Sequence, residues 1–183
     1  MKRVATALLL AGGQSTRMGR DKALLPWQGT TLIEHVHAQL REHFVEVLIA
    51  SGTPDRYAAL GLEGVADAQG VEGPMAGLLA GLEHASCADV YVHPVDNPDV
   101  DEELLRALFC ALEEGVHAAV VESPSGLEPL TAVYHRSAVL AFREAAAAGR
   151  FGVQAVLARL PLARVKHERA VRNLNVPGDA EGA

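Results

Sequence analysis

A chain of 183 residues, 49% hydrophobic and only 4% aromatic, holds enough apolar material for a single domain, 1–183, with an aliphatic, alanine-rich core. Its formal net charge of −7 argues against nucleic-acid or membrane-surface binding, both of which call for a basic field. Cys87 and Cys110 form no Cys-x-x-Cys pattern and exclude a disulfide framework; they read as buried small residues of a reducing compartment, and with no signal or spanning segment expected the cytoplasm follows.

The first predicted element is a buried-type strand over 4–10. It runs into Ala11-Gly12-Gly13-Gln14-Ser15-Thr16-Arg17-Met18-Gly19-Arg20-Asp21-Lys22. Gly12 and Gly13 let the backbone approach a ligand, and consecutive N–H groups in such a loop form an anion-binding nest. Arg17, Arg20 and Lys22 add positive charge within a few residues, a combination suited to a polyphosphate. The bare alternative is a strand-to-loop turn that needs glycine. The loop lacks the Gly-Lys-Ser/Thr of a P-loop and the Gly-x-Gly-x-x-Gly of a dinucleotide fold.

A turn over 26–29 precedes a helix that Thr30 or Thr31 caps and that runs to about His43, with Leu32, Ile33, Val36 and Leu40 on one face. A strand over 46–51, a short helix over 54–60, a brief strand over 62–66 and a loop over 67–74 follow. Pro74 suits the first position of a helix ending near 85. The small residues of that helix, Ala76, Gly77, Ala80 and Gly81, suggest close packing against a backbone or a ligand. A strong strand over 89–95 ends at Asp96. An amphipathic helix over 100–114 and a strand over 116–122 come next. After a turn over 123–128, the proline at 129 predicts an edge strand over 129–135. Helices over 137–148 and 152–160, a last strand over 162–167 and a frayed tail from about 178 complete the chain. Alternating strands and helices predict a three-layer α/β fold, a mostly parallel sheet with helices on both faces. Ligands of such sheets sit outside the carboxyl ends of the strands.

Asp96, at the end of an apolar strand, has the position of a Mg²⁺ ligand, since Mg²⁺ takes one or two carboxylates and completes its shell from phosphates and water. Asp96, Asn97 and Asp99 equally suit the cap of the following helix. Asp67 is either a solvated loop acid or a carboxylate that accepts N1–H and N2–H₂ of guanine. Lys22, a compact charge that can follow charge build-up between phosphates, and Arg17, a planar fork for their oxygens, are with Asp96 the catalytic candidates; the alternative for both cations, and the reading preferred for Arg20, is a surface charge. Asn173 and Asn175, two apart in Asn173-Leu174-Asn175-Val176-Pro177, either hold a substrate or order the glycine loop, or form a turn before the chain end. The eight histidines show no metal-ligand spacing, and no covalent nucleophile is evident.

Leu10-Ala11-Gly12-Gly13-x-Ser15-x-Arg17-Met18-Gly19-x-Asp21-Lys22-Ala23-Leu24 resembles the signature of nucleotidyltransferases of the molybdenum cofactor guanylyltransferase type. Asp67, Gly73-Pro74-Met75-Ala76-Gly77-Leu78, the strand ending at Asp96, Glu128-Pro129-Leu130-Thr131-Ala132-Val133-Tyr134 and Asn173-x-Asn175-x-Pro177 follow in the order seen in that family. The resemblance implies a Rossmann-like fold and transfer of GMP from GTP to the terminal phosphate of molybdenum-molybdopterin, with release of pyrophosphate. It implies that Leu10, Ala11, Gly12, Gly13, Lys22, Asp67, Gly77, Asn173 and Asn175 serve nucleotide or substrate binding, with Ser51 near the base, and that Asp96 holds Mg²⁺. Transient contact with cofactor-delivering or cofactor-receiving proteins is a further expectation. The family's usual Asp-Thr-Pro stands here as Asp96-Asn97-Pro98. The rival readings are a nucleotidyltransferase of another base or acceptor, such as the cytidylyl pterin branch or a sugar phosphate, and a nucleotide-binding partner protein without catalysis.

Overall fold

The computed structural model describes residues 1–12 and 21–168. β1 (Arg3–Leu10) is an apolar run whose residues alternate between two cores, as the period-two geometry of a strand requires. Ala5, Ala7 and Leu9 join one cluster and Leu8 the other. β2 (Pro26–Trp27) and β3 (Thr30–Thr31) form a small hairpin where a turn was expected; Gln28 and Gly29, at φ +44° and +85°, make the two-residue bend. α1 (Leu32–His43) opens with a capping box, in which the Thr31 hydroxyl accepts from the Glu34 N–H and the Glu34 carboxylate accepts from the Thr31 N–H. Then come β4 (Phe44–Gly52), β5 (Val65–Ala66), α2 (Pro74–His84) with its proline in the first turn, β6 (Asp89–Pro94) and α3 (Glu102–Ala111). β7 (Ala118–Ser123), β8 (Gly126–His135), α4 (Val139–Ala147), α5 (Val153–Leu157) and β9 (Leu162–Lys166) complete the described chain.

Among the described residues seven strands form one sheet in the order β5-β4-β1-β6-β8-β7-β9. β8 alone runs against the rest. α1 and α3 pack on one face with Leu9, Phe44 and Tyr91; α2, α4 and α5 pack on the other with Leu8, Val92 and Tyr134. The expected three-layer, mostly parallel α/β architecture is therefore present, and its largest buried side chains include four aromatics, Tyr91, Tyr134, Phe44 and Phe142, within the aliphatic core.

Several local expectations are corrected. The strand carrying Pro129 is interior, between β6 and β7, not at an edge. Its proline is tolerated because the register with β7 shifts there: Val120 pairs with Ala132, but Val121 pairs with Glu128. Residues 129–131 bulge out of the ladder, so no N–H is demanded of Pro129, and its carbonyl accepts from the Tyr134 hydroxyl at 2.7 Å. The helix expected over 54–60 is only a 3₁₀ turn, Ala58–Leu60. α3 starts later than position 100 because Asp101 is its cap, accepting from the N–H groups of Glu103 and Leu104. Cys87 is only half-buried and Cys110 is exposed. No helix of the described residues is long and apolar enough to cross a membrane.

Candidate active site

The order β5-β4-β1-β6 is parallel throughout, so all four carboxyl ends open on one edge of the sheet. The ladder runs past the strand ends: the Ala11 N–H donates to Ala50 O at 2.8 Å, Val95 N–H to Leu10 O at 3.0 Å, and Asp67 N–H to Gly52 O at 3.3 Å. Those bonds place Gly12, Asp67 and the turn bearing Asp96 along the same edge. Lys22 stands on a 3₁₀ turn, Lys22–Leu24, capped by Asp21, whose Oδ1 accepts from the Ala23 N–H at 3.1 Å.

Lys22 Nζ lies 3.8 Å from Asp96 Oδ2, with 23% and 30% of the two side chains exposed. The cap of α3 is Asp101, so the Asp96 carboxylate is not spent on that helix. Burial holds Asp96 above the usual carboxylate range, and the Lys22 ammonium draws it partway back. A half-buried acid next to a cation, open at a sheet edge, is a place where a hard divalent ion shared with phosphate oxygens fits. Among the described residues no group of three or more His, Cys, Asp or Glu is arranged to cage a metal.

Asp67 follows β5 and faces two glycines. A Cβ on Gly12 would lie 3.6 Å from Asp67 Oδ2; one on Gly77 would lie 3.3 Å from Oδ1 and 3.0 Å from Ala50 Cβ. Asp67 Oδ1 is buried and has no hydrogen-bond partner among the described residues. A buried carboxylate oxygen left without a donor costs free energy, so the cradle that Gly12, Gly77 and Asp67 form has room for a donor beyond the described residues. The small side of α2 thus has two uses. Gly77 makes room for Asp67, whereas Gly81 lets α2 lie on the sheet, since its Cβ would meet Leu8 Cδ2 at 2.2 Å.

Ser51, the penultimate residue of β4, lies on the same edge, but its hydroxyl donates to Thr53 O at 2.6 Å and abuts Gly64, where a Cβ would come within 2.3 Å of it. Its hydroxyl is committed to that turn. Leu10 and Ala11 lie at the end of β1, Leu10 packed against the α2 core and Ala11 buried. The structure thus brings Leu10, Ala11, Gly12, Lys22, Ser51, Asp67, Gly77 and Asp96 to one edge. Gly13, Arg17, Asn173 and Asn175 lie outside the described residues.

Sequence reasoning passed over His93. It is fully buried on β6, its Nδ1 accepts from the Tyr91 hydroxyl at 2.9 Å, and its Nε2–H donates to Asn97 O at 2.9 Å. One ring proton satisfies both bonds, so the neutral tautomer is set. Asn97 in turn accepts from the Asp99 N–H through Oδ1 at 3.3 Å. The Asp96-Asn97 turn is therefore anchored from beneath by a histidine two residues from Tyr91 on the same strand face, and that alternation within an apolar strand was the available signal. Burial pushes the His93 imidazole down to about 4, against the smaller upward pulls of the Asn97 bond and the Asp99 carboxylate. The folded state thus binds fewer protons than the unfolded chain between the ordinary histidine value and about 4, and stability falls with pH through that window. Going from pH 7 to pH 5 should cost about 2 kcal/mol from this group. Urea unfolding of wild type and His93→Gln across that range checks it: equal acid slopes would remove His93 as the cause.

The MobA-like NTP transferase domain family matches residues 7–166. A probable molybdenum cofactor guanylyltransferase of Pelotomaculum thermopropionicum is 35% identical, with 96% of this chain and 89% of that protein aligned. A molybdenum cofactor guanylyltransferase of Pseudomonas putida is 36% identical over 93% of this chain and 92% of that protein. Among solved structures, molybdopterin-guanine dinucleotide biosynthesis protein A of Archaeoglobus fulgidus superposes with a TM-score of 0.79 at 24% identity, covering 96% of this chain and 95% of that one, a likeness of fold. With β1, its glycine loop and the sheet edge all inside the matched span, the chain belongs to the family of MobA-like NTP transferases.

Proposed function

We propose that this protein transfers GMP from GTP to the terminal phosphate of molybdenum-molybdopterin, forming the guanine dinucleotide cofactor and releasing pyrophosphate. The observation that carries the reading is the 3.8 Å approach of Lys22 to Asp96 on the edge that also bears Asp67. In the proposed step an oxygen of the pterin phosphate forms a bond to the α-phosphorus of GTP. The bond from that phosphorus to the bridging oxygen breaks, and pyrophosphate leaves with the electron pair. A phosphate monoester is largely dianionic at neutral pH, so the attacking oxygen needs no general base. What the step needs is alignment and charge stabilisation. Lys22 supplies a point charge to the oxygens between the phosphates. Asp96 would hold Mg²⁺, which when bound neutralises charge on the phosphate oxygens. The Gly12 backbone lets the nucleotide approach the end of β1. The Asp67 carboxylate accepts from the guanine N1–H and N2–H₂, donors that an adenine or cytosine edge does not present together. Two free thiols, one of them exposed, suit a reducing cytoplasm.

The test is pyrophosphate release from GTP, CTP and UTP with Mg²⁺, with and without molybdenum-molybdopterin. Release that requires the pterin and prefers GTP is expected. A preference for CTP would overturn the guanylyl assignment, and nucleotide binding without release would overturn catalysis. Gly77→Ala probes the base contact separately. The new Cβ crowds Asp67 Oδ1, and the KM for GTP should rise roughly tenfold while kcat at saturation changes little, the pattern of lost uniform binding. An unchanged KM would take Asp67 out of base recognition.

A further inference from the structure

Arg56 and Tyr57 lie in the turns between β4 and β5, in no motif that the sequence singles out, yet their side chains converge on the two segments that flank residues 13–20. The Tyr57 hydroxyl lies 3.0 Å from Ala11 O and 3.1 Å from Asp21 Oδ2. Ala11 is the last residue before Gly12 and Gly13, and Asp21 directly precedes Lys22. A phenol has one proton to donate, so Tyr57 shares it between the two acceptors and holds them at a fixed separation. Tyr57 is only 2% exposed, and burial together with the neighbouring Asp21 charge keeps its hydroxyl protonated, hence a donor.

Arg56 completes the arrangement. Its Nε and Nη2 both donate to Asp21 Oδ2, at 3.0 and 2.8 Å, and its Nη1 donates to Ser51 O at 3.2 Å. The guanidinium carbon sits 5.5 Å from the centre of the Tyr57 ring. The other oxygen of Asp21, Oδ1, caps the 3₁₀ turn that carries Lys22. One cluster thus ties together the end of β1 at Ala11, the end of β4 at Ser51 and the turn that presents Lys22 to Asp96. Charge-assisted bonds of this kind are stronger than neutral ones, and the planar fork of arginine also sets direction, which a lysine ammonium does not.

We propose that Arg56 and Tyr57 are positioning residues for nucleotide binding: acting through Asp21 and the Ala11 carbonyl, they set the gap between the backbone at Gly12 and the ammonium of Lys22 to the width of a triphosphate. They touch neither substrate. They act by holding apart, at one distance, two groups that do. This rests on the GTP reading above.

Calorimetry with GTP and Mg²⁺, steady-state pyrophosphate release with molybdenum-molybdopterin, and a melting curve are measured for wild type, Tyr57→Phe, Arg56→Lys, Arg56→Ala, Asp21→Asn and the Asp21→Asn/Arg56→Ala double variant. The Kd for GTP should rise about tenfold in Arg56→Ala, the scale of a lost charge-assisted bond, and by less in Tyr57→Phe and Arg56→Lys. The double variant should bind no worse than the weaker of its two parents, because Arg56 works through Asp21. Lowered melting temperatures with unchanged Kd and kcat, or additive effects in the double variant, would overturn the proposal. If Arg56→Ala does not fold, Tyr57→Phe and Arg56→Lys carry the comparison. Wild type that binds GTP but releases no pyrophosphate sinks the transfer reading while the Kd series still decides the brace. Wild type that binds no GTP sinks both.

Discussion

Lys22→Ala should lower kcat for pyrophosphate release by about 10²–10³-fold, the scale of removing one preorganised donor from a developing charge. The fold should hardly register the change. The ion pair with Asp96 is 3.8 Å long and partly exposed, so it is worth no more than about 1 kcal/mol. A loss of that size moves the melting temperature of a chain this long by only about 2–4 °C. The local turn also survives, since its cap comes from Asp21 and not from Lys22. Lys22→Arg keeps the charge but replaces a compact ammonium with a larger planar fork, and should recover only part of the rate. Steady-state kinetics beside a thermal melt decides the matter. Turnover within a few-fold of wild type would remove Lys22 from the reaction.

Asp96→Asn should cost on the order of 10³-fold in kcat, because an amide is a poor ligand for a hard divalent ion and several kcal/mol of charge stabilisation go with it. Stability should move the other way. Burial raises the Asp96 carboxyl above its ordinary value, so the folded state disfavours the charged form that prevails at neutral pH. A neutral amide of the same shape removes that penalty at the loss of the partly exposed ion pair with Lys22. The helix that follows loses no cap, since Asp101 supplies it. The variant should therefore melt at or slightly above the wild-type temperature while losing activity, the trade expected where a functional group is kept at the expense of stability. Titration of pyrophosphate release against Mg²⁺ gives the second readout. A variant with unchanged turnover and Mg²⁺ dependence would show that the ion, if bound, is held elsewhere.

Some of the site depends on contacts that no local pattern announces. The Tyr57 hydroxyl reaches Ala11 across 46 positions and Asp21 across 36. Arg56 meets Asp21 across 35. In sequence these two residues fall within the short helix expected over 54–60, and nothing there sets them apart. His93 stands in no metal-ligand spacing, and its partners are a tyrosine hydroxyl and a backbone carbonyl. The choice between Asp96 as ligand and Asp96 as helix cap was likewise open in the sequence, where four polar residues precede α3. It narrowed only when Asp101 proved to be the residue whose carboxylate meets the first N–H groups of the helix.

What the sequence determined by itself was whatever is written in neighbours three or four residues apart or in a strand's alternation. The buried β1 running into paired glycines, a threonine cap at 30 or 31, Pro74 opening α2, the alternation of strand and helix that makes the sheet mostly parallel, and the candidate list of Lys22, Asp67 and Asp96 are all of this kind, because propensity, capping and periodicity act locally. The tertiary structure decided which strands are neighbours. That order moved β8 to the interior with its proline in a bulge, and set β5, β4, β1 and β6 side by side so that residues from four separate segments share one edge. Strand order is set by the burial of whole faces and by hydrogen bonds between segments far apart in the chain, energies that no short stretch of sequence contains.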